Sequence, residues 1–180
     1  MILIIDSGST KSDWLAVDNN GNKLMDKIRT KGLNPAILNE KKLAKRILKS
    51  KDLKNNKEKV THVFFYGAGC GTENAKALLD GVLGEIFTNA HIEVNEDTLA
   101  AVYATINHPK EAAVVCILGT GSNCSYYDGE NLHQRVISLG YTLMDDASGN
   151  YYGKQLIRDY YFNQMPENVR IAFGAKFNME

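Results

Sequence analysis

Residues 2–5 (Ile-Leu-Ile-Ile) form an unbroken apolar run, the pattern of a strand buried on both faces. The run ends in Asp6-Ser7-Gly8-Ser9-Thr10, a turn of small and hydroxyl residues. Residues 14–17 read as a second strand, Asn19-Asn20-Gly21 supplies the positive-φ residues of a tight hairpin, and residues 23–28 read as a third strand. Helix and strand then alternate. A helix is expected over 39–49 with Leu43, Ile47 and Leu48 inward, followed by a solvated Lys/Asn loop. Residues 60–66 are β-branched and aromatic, hence a strand. Apolar spacing predicts a helix over 72–87, a short strand over 92–94 and a helix over 98–106.

His108-Pro109-Lys110 breaks this pattern and is the best internal boundary, dividing the chain into 1–108 and 109–180. Beyond it the opening motif returns. Residues 113–118 read as a buried strand, Gly119-Thr120-Gly121-Ser122 as a glycine/hydroxyl turn, and 124–127 as another strand. Asp128-Gly129 makes a hairpin into a strand over 132–137. Ile4-Ile5-Asp6-Ser7-Gly8-Ser9 set over Ile117-Leu118-Gly119-Thr120-Gly121-Ser122 matches the two turns, the mark of a duplicated strand–turn–strand unit. A helix is expected over 150–162, stopped by Met165-Pro166, and a further element begins in 169–177.

Composition narrows the class. With 44% hydrophobic residues and three prolines in 180, the chain reads as globular and long enough to bury a core without metal or disulfide. Lys+Arg and Asp+Glu both number 21, so neither nucleic acid nor an anionic membrane is an expected partner. No segment approaches the roughly 20 apolar residues of a membrane helix, and the opening apolar run, lacking a basic n-region, is shorter than expected of a signal peptide. Cys70, Cys116 and Cys124 show no Cys-x-x-Cys spacing and read as free thiols of a cytoplasmic protein. The four histidines are scattered, without metal-ligand spacing. Between 41 and 59, nine Lys/Arg stand against Asp52 and Glu58. No aromatic residue is interleaved there for base stacking, so a solvated helix face accounts for the run better than a nucleic-acid patch.

Two glycine/hydroxyl turns at strand ends suggest phosphate. Glycine lets the backbone approach closely, and successive N–H groups form an anion nest. Asp6 would repel phosphate unless a hard cation such as Mg²⁺ lies between them. Taken singly, either turn passes as an ordinary hairpin; the pairing suggests two loops gripping the β- and γ-phosphates of a nucleotide across a cleft. Gly67-Ala68-Gly69-Cys70-Gly71 after a strand is a competing dinucleotide signal, but position 72 is Thr and the unit is not the chain's first.

Asp6-Ser7-Gly8-Ser9-Thr10-Lys11-Ser12 and Gly119-Thr120-Gly121-Ser122-Asn123 resemble the two phosphate motifs of the actin-like ATPase superfamily of sugar kinases, Hsp70 and actin. Asn95-Glu96-Asp97-Thr98, Gly140 and Asp145-Asp146-Ala147-Ser148-Gly149 narrow the likeness to the N-acetylglucosamine kinase branch of the BadF/BadG/BcrA/BcrD ATPases. The resemblance implies an α/β, ribonuclease H-like domain with a mixed five-stranded sheet and helices on both faces, duplicated, the second copy incomplete in this chain. It implies ATP and Mg²⁺ as cofactors, an amino sugar phosphorylated at its 6-hydroxyl, and a homodimer. Asp97 would be the general base and touch the sugar, although an aspartate ahead of a helix is also an ordinary N-cap. Asp6 would hold Mg²⁺. Gly8, Ser9 and Thr10 would cradle phosphate with Thr120, Gly121, Ser122 and Asn123; Lys11 would neutralise charge or simply face solvent. Asn34, Gly140 and Asp145 would bind sugar.

Two positions depart from the family pattern: Met144 stands where it has Gly, and Asp146 where it has Glu. Nothing in residues 169–180 resembles the family's adenosine motif, which lies in a longer chain. Two rival readings stand beside the kinase. One is an ATPase activator of acyl-CoA dehydratases or reductases, with cysteine-bound iron–sulfur. The other is a nucleotide- or sugar-binding fragment without turnover.

Overall fold

A computed structural model describes residues 1–8, 10–108, 110–134, 139–140 and 142–179. By backbone contacts the chain divides into two compact units, Met1–Ile106 and Asn107–Glu180.

The first unit is a five-stranded mixed sheet in the order β3-β2-β1-β4-β5, built from β1 (Ile2–Ser7), β2 (Lys11–Val17), β3 (Ile28–Lys31), β4 (His62–Gly67) and β5 (His91–Asn95). β1, β4 and β5 run parallel, while β2 and β3 are antiparallel additions on one side. Alternation decides which face is covered. Leu3, Ile5, Trp14, Ala16, Val63 and Phe65 point one way and are buried. They pack with Leu43 and Ile47 of α1 (Glu40–Leu48) and with Leu79 and Leu83 of α3 (Glu73–Ile86) in one apolar core. The other face is covered only in part, by α4 (Asp97–Thr105), so Ile4 is 39% exposed where the apolar run alone predicts burial on both sides.

Three further expectations are corrected. The third strand lies at 28–31 instead of 23–28. Asp18 caps the N–H groups of Asn20 and Asn22, a single bridge joins Val17 to Lys23, and the chain then bulges before Ile28 pairs with Trp14. The Trp14 indole N–H donates to Thr30 Oγ1 at 2.9 Å, which suits that later register. Leu48 is 40% exposed; its place against the core is taken by Leu53 of α2 (Lys51–Asn56). α2 stands where a solvated loop is expected, because Ser50 accepts the Leu53 N–H and starts a new helix.

The second unit has a three-stranded antiparallel sheet, β6 (Ala113–Leu118), β7 (Ser122–Tyr127) and β8 (Leu132–His133), then α5 (Gly149–Tyr161) and α6 (Glu167–Phe177). Residues 135–137 of the expected last strand, and Pro109 of the expected break, lie outside the described residues. Asp128 Oδ1 accepts the N–H groups of Glu130 and Asn131, forming the hairpin into β8. β6 reads in sequence as a buried strand, yet Val114 is 67% and Leu118 64% exposed. α5 and α6 pack on each other, with the Tyr160 and Phe173 rings 5.7 Å apart.

Candidate active site

The parallel strands β1, β4 and β5 end at the same edge of the first unit, the place where ligand clefts form in α/β sheets. Asp6 is the penultimate residue of β1, exposed on the face opposite the core. Its neighbour Ser7 is fully buried. The Ser7 and Ser12 hydroxyls lie 2.6 Å apart, and Ser7 Oγ accepts the Leu33 N–H at 3.0 Å. The Ser7 carbonyl accepts from Ala68 N–H, and the Thr10 carbonyl from Gly32 N–H, each at 2.9 Å. The turn holding Gly8 and Thr10 is thus tied to the 32–34 loop and to the end of β4. Lys11 opens β2 as an exposed residue; Ser9 lies outside the described residues.

Asn34 is brought to this edge by the same loop and is 9% exposed. Its Oδ1 accepts the Ala36 N–H at 2.9 Å, and its carboxamide packs directly onto Gly69, whose φ is +85°. Next to it, Glu96 Oε1 lies 2.6 Å from where a β-carbon on Gly71 would stand. The loop after β4 therefore carries two glycines because two polar side chains crowd it.

Asp97 is the first residue of α4, and the N-cap position falls to Glu96, whose carboxylate accepts the Thr98 hydroxyl at 3.2 Å. Burial pushes the Asp97 pKa above the ordinary aspartate value; Glu96 and Asp6 add to this, while the Thr98 N–H opposes it. Asp6 and Asp97 are thus electrostatic neighbours at the strand ends. A half-buried carboxylate of raised pKa is a stronger base than a free one, the property proton abstraction needs. Cys70 is wholly buried beneath the acidic pair. Burial, with Asp97 and Glu96, raises its thiol to about 11, so it is an inert core residue. A cavity of about 310 Å³ between β1 and α4 is lined by Ile4, Asp6, Tyr66, Ala100 and Tyr103.

In the second unit the Gly119-Thr120-Gly121 turn is closed by Gly119 N–H donating to the Gly121 carbonyl at 2.9 Å. It rests on the start of α5, where the Gly149 and Asn150 N–H groups donate to the Gly119 and Thr120 carbonyls. Ser148, fully buried, caps this helix by accepting the Tyr151 N–H at 3.1 Å. The positive end of α5 therefore lies beside the turn. Asp145 has φ of +71°, and its Oδ2 stands 2.8 Å from where a Gly121 β-carbon would lie. Asp145 borders a cavity of about 260 Å³ with Ser122, Asn123, Cys116, Cys124 and Met144. Gly140, at φ +73°, accepts the Met144 N–H at 2.8 Å and starts the bend that leads to Asp145.

The first unit thus brings together Asp6, Gly8, Thr10, Asn34 and Asp97, and the second Thr120, Gly121, Ser122, Asn123, Gly140 and Asp145. Sequence reasoning passed over Glu96 and the buried Ser7–Ser12 pair. The only signal for either was its place inside a motif. Among the described residues no group of three His, Cys, Asp or Glu could cage a metal. A single carboxylate at Asp6 nevertheless suits Mg²⁺, which keeps waters and takes its other ligands from phosphate. A further cavity, about 860 Å³, lies elsewhere, between β3 and α1. It gathers Lys27, Arg29 and Lys31 with Lys42, Lys45 and Lys49, and of the described candidate residues only Thr10 borders it.

No protein-family model and no curated protein matches the chain. Solved structures do. One is a candidate N-acetylglucosamine kinase from Porphyromonas gingivalis, 35% identical, with a TM-score of 0.83 over 99% of this chain and 62% of that one. Another is a candidate N-acetylglucosamine kinase from Chromobacterium violaceum, 16% identical, TM-score 0.58, over 89% of this chain and 56% of that one. A third is an inorganic polyphosphate/ATP-glucomannokinase from Arthrobacter, 19% identical, TM-score 0.53, over 86% and 70%. This chain therefore spans about three fifths of the length of the first two. Its fold is that of the actin-like ATPases in their sugar-kinase form.

Proposed function

We propose that the chain carries phosphate- and sugar-binding residues of an ATP-dependent sugar kinase of the N-acetylglucosamine kinase branch of the BadF/BadG/BcrA/BcrD grouping. The reaction moves the γ-phosphate of ATP to the 6-hydroxyl of N-acetylglucosamine or a related amino sugar. The observation that carries this reading is the half-buried Asp97 with its raised pKa, beside Asp6 at the ends of the parallel strands. The 35%-identical relative described as a candidate N-acetylglucosamine kinase supports the substrate class.

In phosphoryl transfer the protein mainly positions and stabilises charge. Asp97 accepts the proton of the attacking hydroxyl, its basicity raised by burial and by its acidic neighbours. Asn34 and Asp145 orient sugar hydroxyls, Asp145 through charge-assisted hydrogen bonds, with Gly140 setting the bend that carries it. Gly8, Ser9, Thr10 and Lys11, and in the second unit Thr120, Gly121, Ser122 and Asn123, contact phosphate. When bound, Mg²⁺ supplies charge neutralisation for the phosphates; Asp6 would hold it.

A coupled ADP assay with Mg-ATP across hexoses and amino sugars tests the reading, with calorimetry of each ligand alone. Asp97→Asn is expected to keep Mg-ATP binding and to lose about 10²–10⁴ in turnover. Turnover near that of the parent defeats the assignment of Asp97. Binding of both ligands without turnover by the parent protein replaces the kinase with a binding module.

A further inference from the structure

Cys116 and Cys124 face each other directly across β6 and β7, with their sulfurs 3.0 Å apart in hydrogen-bond contact. The hydrogen bond from Gly119 N–H to the Gly121 carbonyl places the hydrogen-bonded exchange at 119/121 and, by alternation, at 117/123. Cys116/Cys124 is therefore a non-hydrogen-bonded pair, the class whose α-carbons approach to about 4.5 Å and whose side chains stand closest. That separation lies just inside the range a disulfide spans, so the strands need not move to be linked. Both thiols are exposed and free, unlike Cys70 in the core of the first unit. No step of the proposed reaction uses them.

We propose that Cys116 and Cys124 are a reversible oxidation site, a cross-strand dithiol that closes to a disulfide by exchange with a low-molecular-weight disulfide. One thiolate attacks a sulfur of the reagent. The reagent's S–S bond breaks and releases one thiol, which carries the proton lost by the cysteine. The second cysteine then attacks the mixed disulfide, releases the second thiol and forms the Cys116–Cys124 bond. Two electrons and two protons pass from the protein to the reagent. Because the bond is exposed, added dithiol reverses it. Exchange must outrun adduct formation on two separate cysteines, and the contact between the sulfurs is what secures that.

The test is treatment of the folded chain with oxidised glutathione, followed by mass spectrometry. The expected result is loss of two hydrogen atoms without a retained glutathione. The loss should map to the tryptic peptide 111–135, which has no internal Lys or Arg, with Cys70 still reduced. Cys116→Ser and Cys124→Ser should each hold one stable glutathione on the remaining exposed thiol. Two stable adducts on the parent protein, or disulfide-linked dimers, overturn the proposal. The pair also borders the cavity shared by Ser122, Asn123 and Asp145, so a ligand seated there covers it. This last step rests on the proposed function: Mg-ATP with N-acetylglucosamine should slow closure at least threefold. Closure at an unchanged rate counts against that reading of the cavity, while the dithiol itself stands.

Discussion

The Asn34 carboxamide fills the space that a side chain on Gly69 would need, so the loop before α1 and the loop after β4 interlock at the edge where the parallel strands end. Gly69 is doubly constrained, by this contact and by its φ of +85°. Gly69→Ala is therefore expected to cost about 1–3 kcal/mol from backbone strain alone, with displacement of Asn34 added to it. Trp14, the chain's single tryptophan, is buried in the same unit, so its fluorescence during urea unfolding reads the loss directly. An unchanged midpoint contradicts the interlock.

Asp97 makes stability depend on pH. Burial raises its pKa on folding, so the native state holds the proton more tightly than the unfolded chain. That contribution is complete below the ordinary value of 3.8 and is lost as pH rises through the native value. Asp97→Asn, which cannot ionise, should melt at a higher temperature than the parent at neutral pH, the gap shrinking as pH falls toward 3.8. A gap of constant size across that range argues against a raised native pKa.

Asp13 behaves in the opposite sense. The Arg29 guanidinium, donating at 2.7 Å, and then Lys27 hold its carboxyl at about 2. Its contribution is present above 3.8 and lost as pH falls through about 2. Asp13→Asn should lower the urea midpoint slightly at pH 5 and leave it unchanged near pH 2. The pair is solvent-exposed, so the effect is small and should shrink further in salt. A salt-independent difference would point to packing instead.

Ser148→Ala removes the cap of α5, where the side chain accepts the Tyr151 N–H. The expected cost is about 1 kcal/mol, as for other N-caps. Circular dichroism is the suitable readout, since the second unit has no tryptophan. Because the first N–H groups of α5 also hold the Gly119 and Thr120 carbonyls, phosphate affinity should fall along with helicity. Loss of helicity with unchanged Mg-ATP affinity separates the cap from the turn.

Local chemistry made much of the fold legible. Asn39, Thr72 and Ser148 are short oxygen-bearing side chains ahead of amphipathic stretches, and each caps the helix that follows. Gly21 and Gly129 take the positive φ that their turns demand. Misjudged elements were those where a distant partner overrode local pattern. Residues 23–28 have strand-like composition, yet pairing with β2 and the Trp14–Thr30 hydrogen bond select 28–31. Residues 50–59 look like a solvated loop, but Ser50 caps a helix and Leu53 finds the core. In the site, the glycine turns stood out from their neighbours in sequence, and Asp97 was singled out by the family resemblance. Glu96 and Ser7 did not, since what distinguishes them is contact with Gly71 and with Ser12 and Leu33.

Sequence alone determined where strands end in glycine turns, where the helices after Asn39, Thr72 and Ser148 begin, and that the strand–turn–strand unit occurs twice. These depend on backbone preferences and caps acting over a few residues. Only the tertiary structure set Asn34 against Gly69, raised the pKa of Asp97 through burial, opposed Cys116 to Cys124, and gathered Lys27, Arg29 and Lys31 with the cations of α1. Each of those depends on strand register and on which face a helix covers, and both emerge only when remote segments compete for the same core.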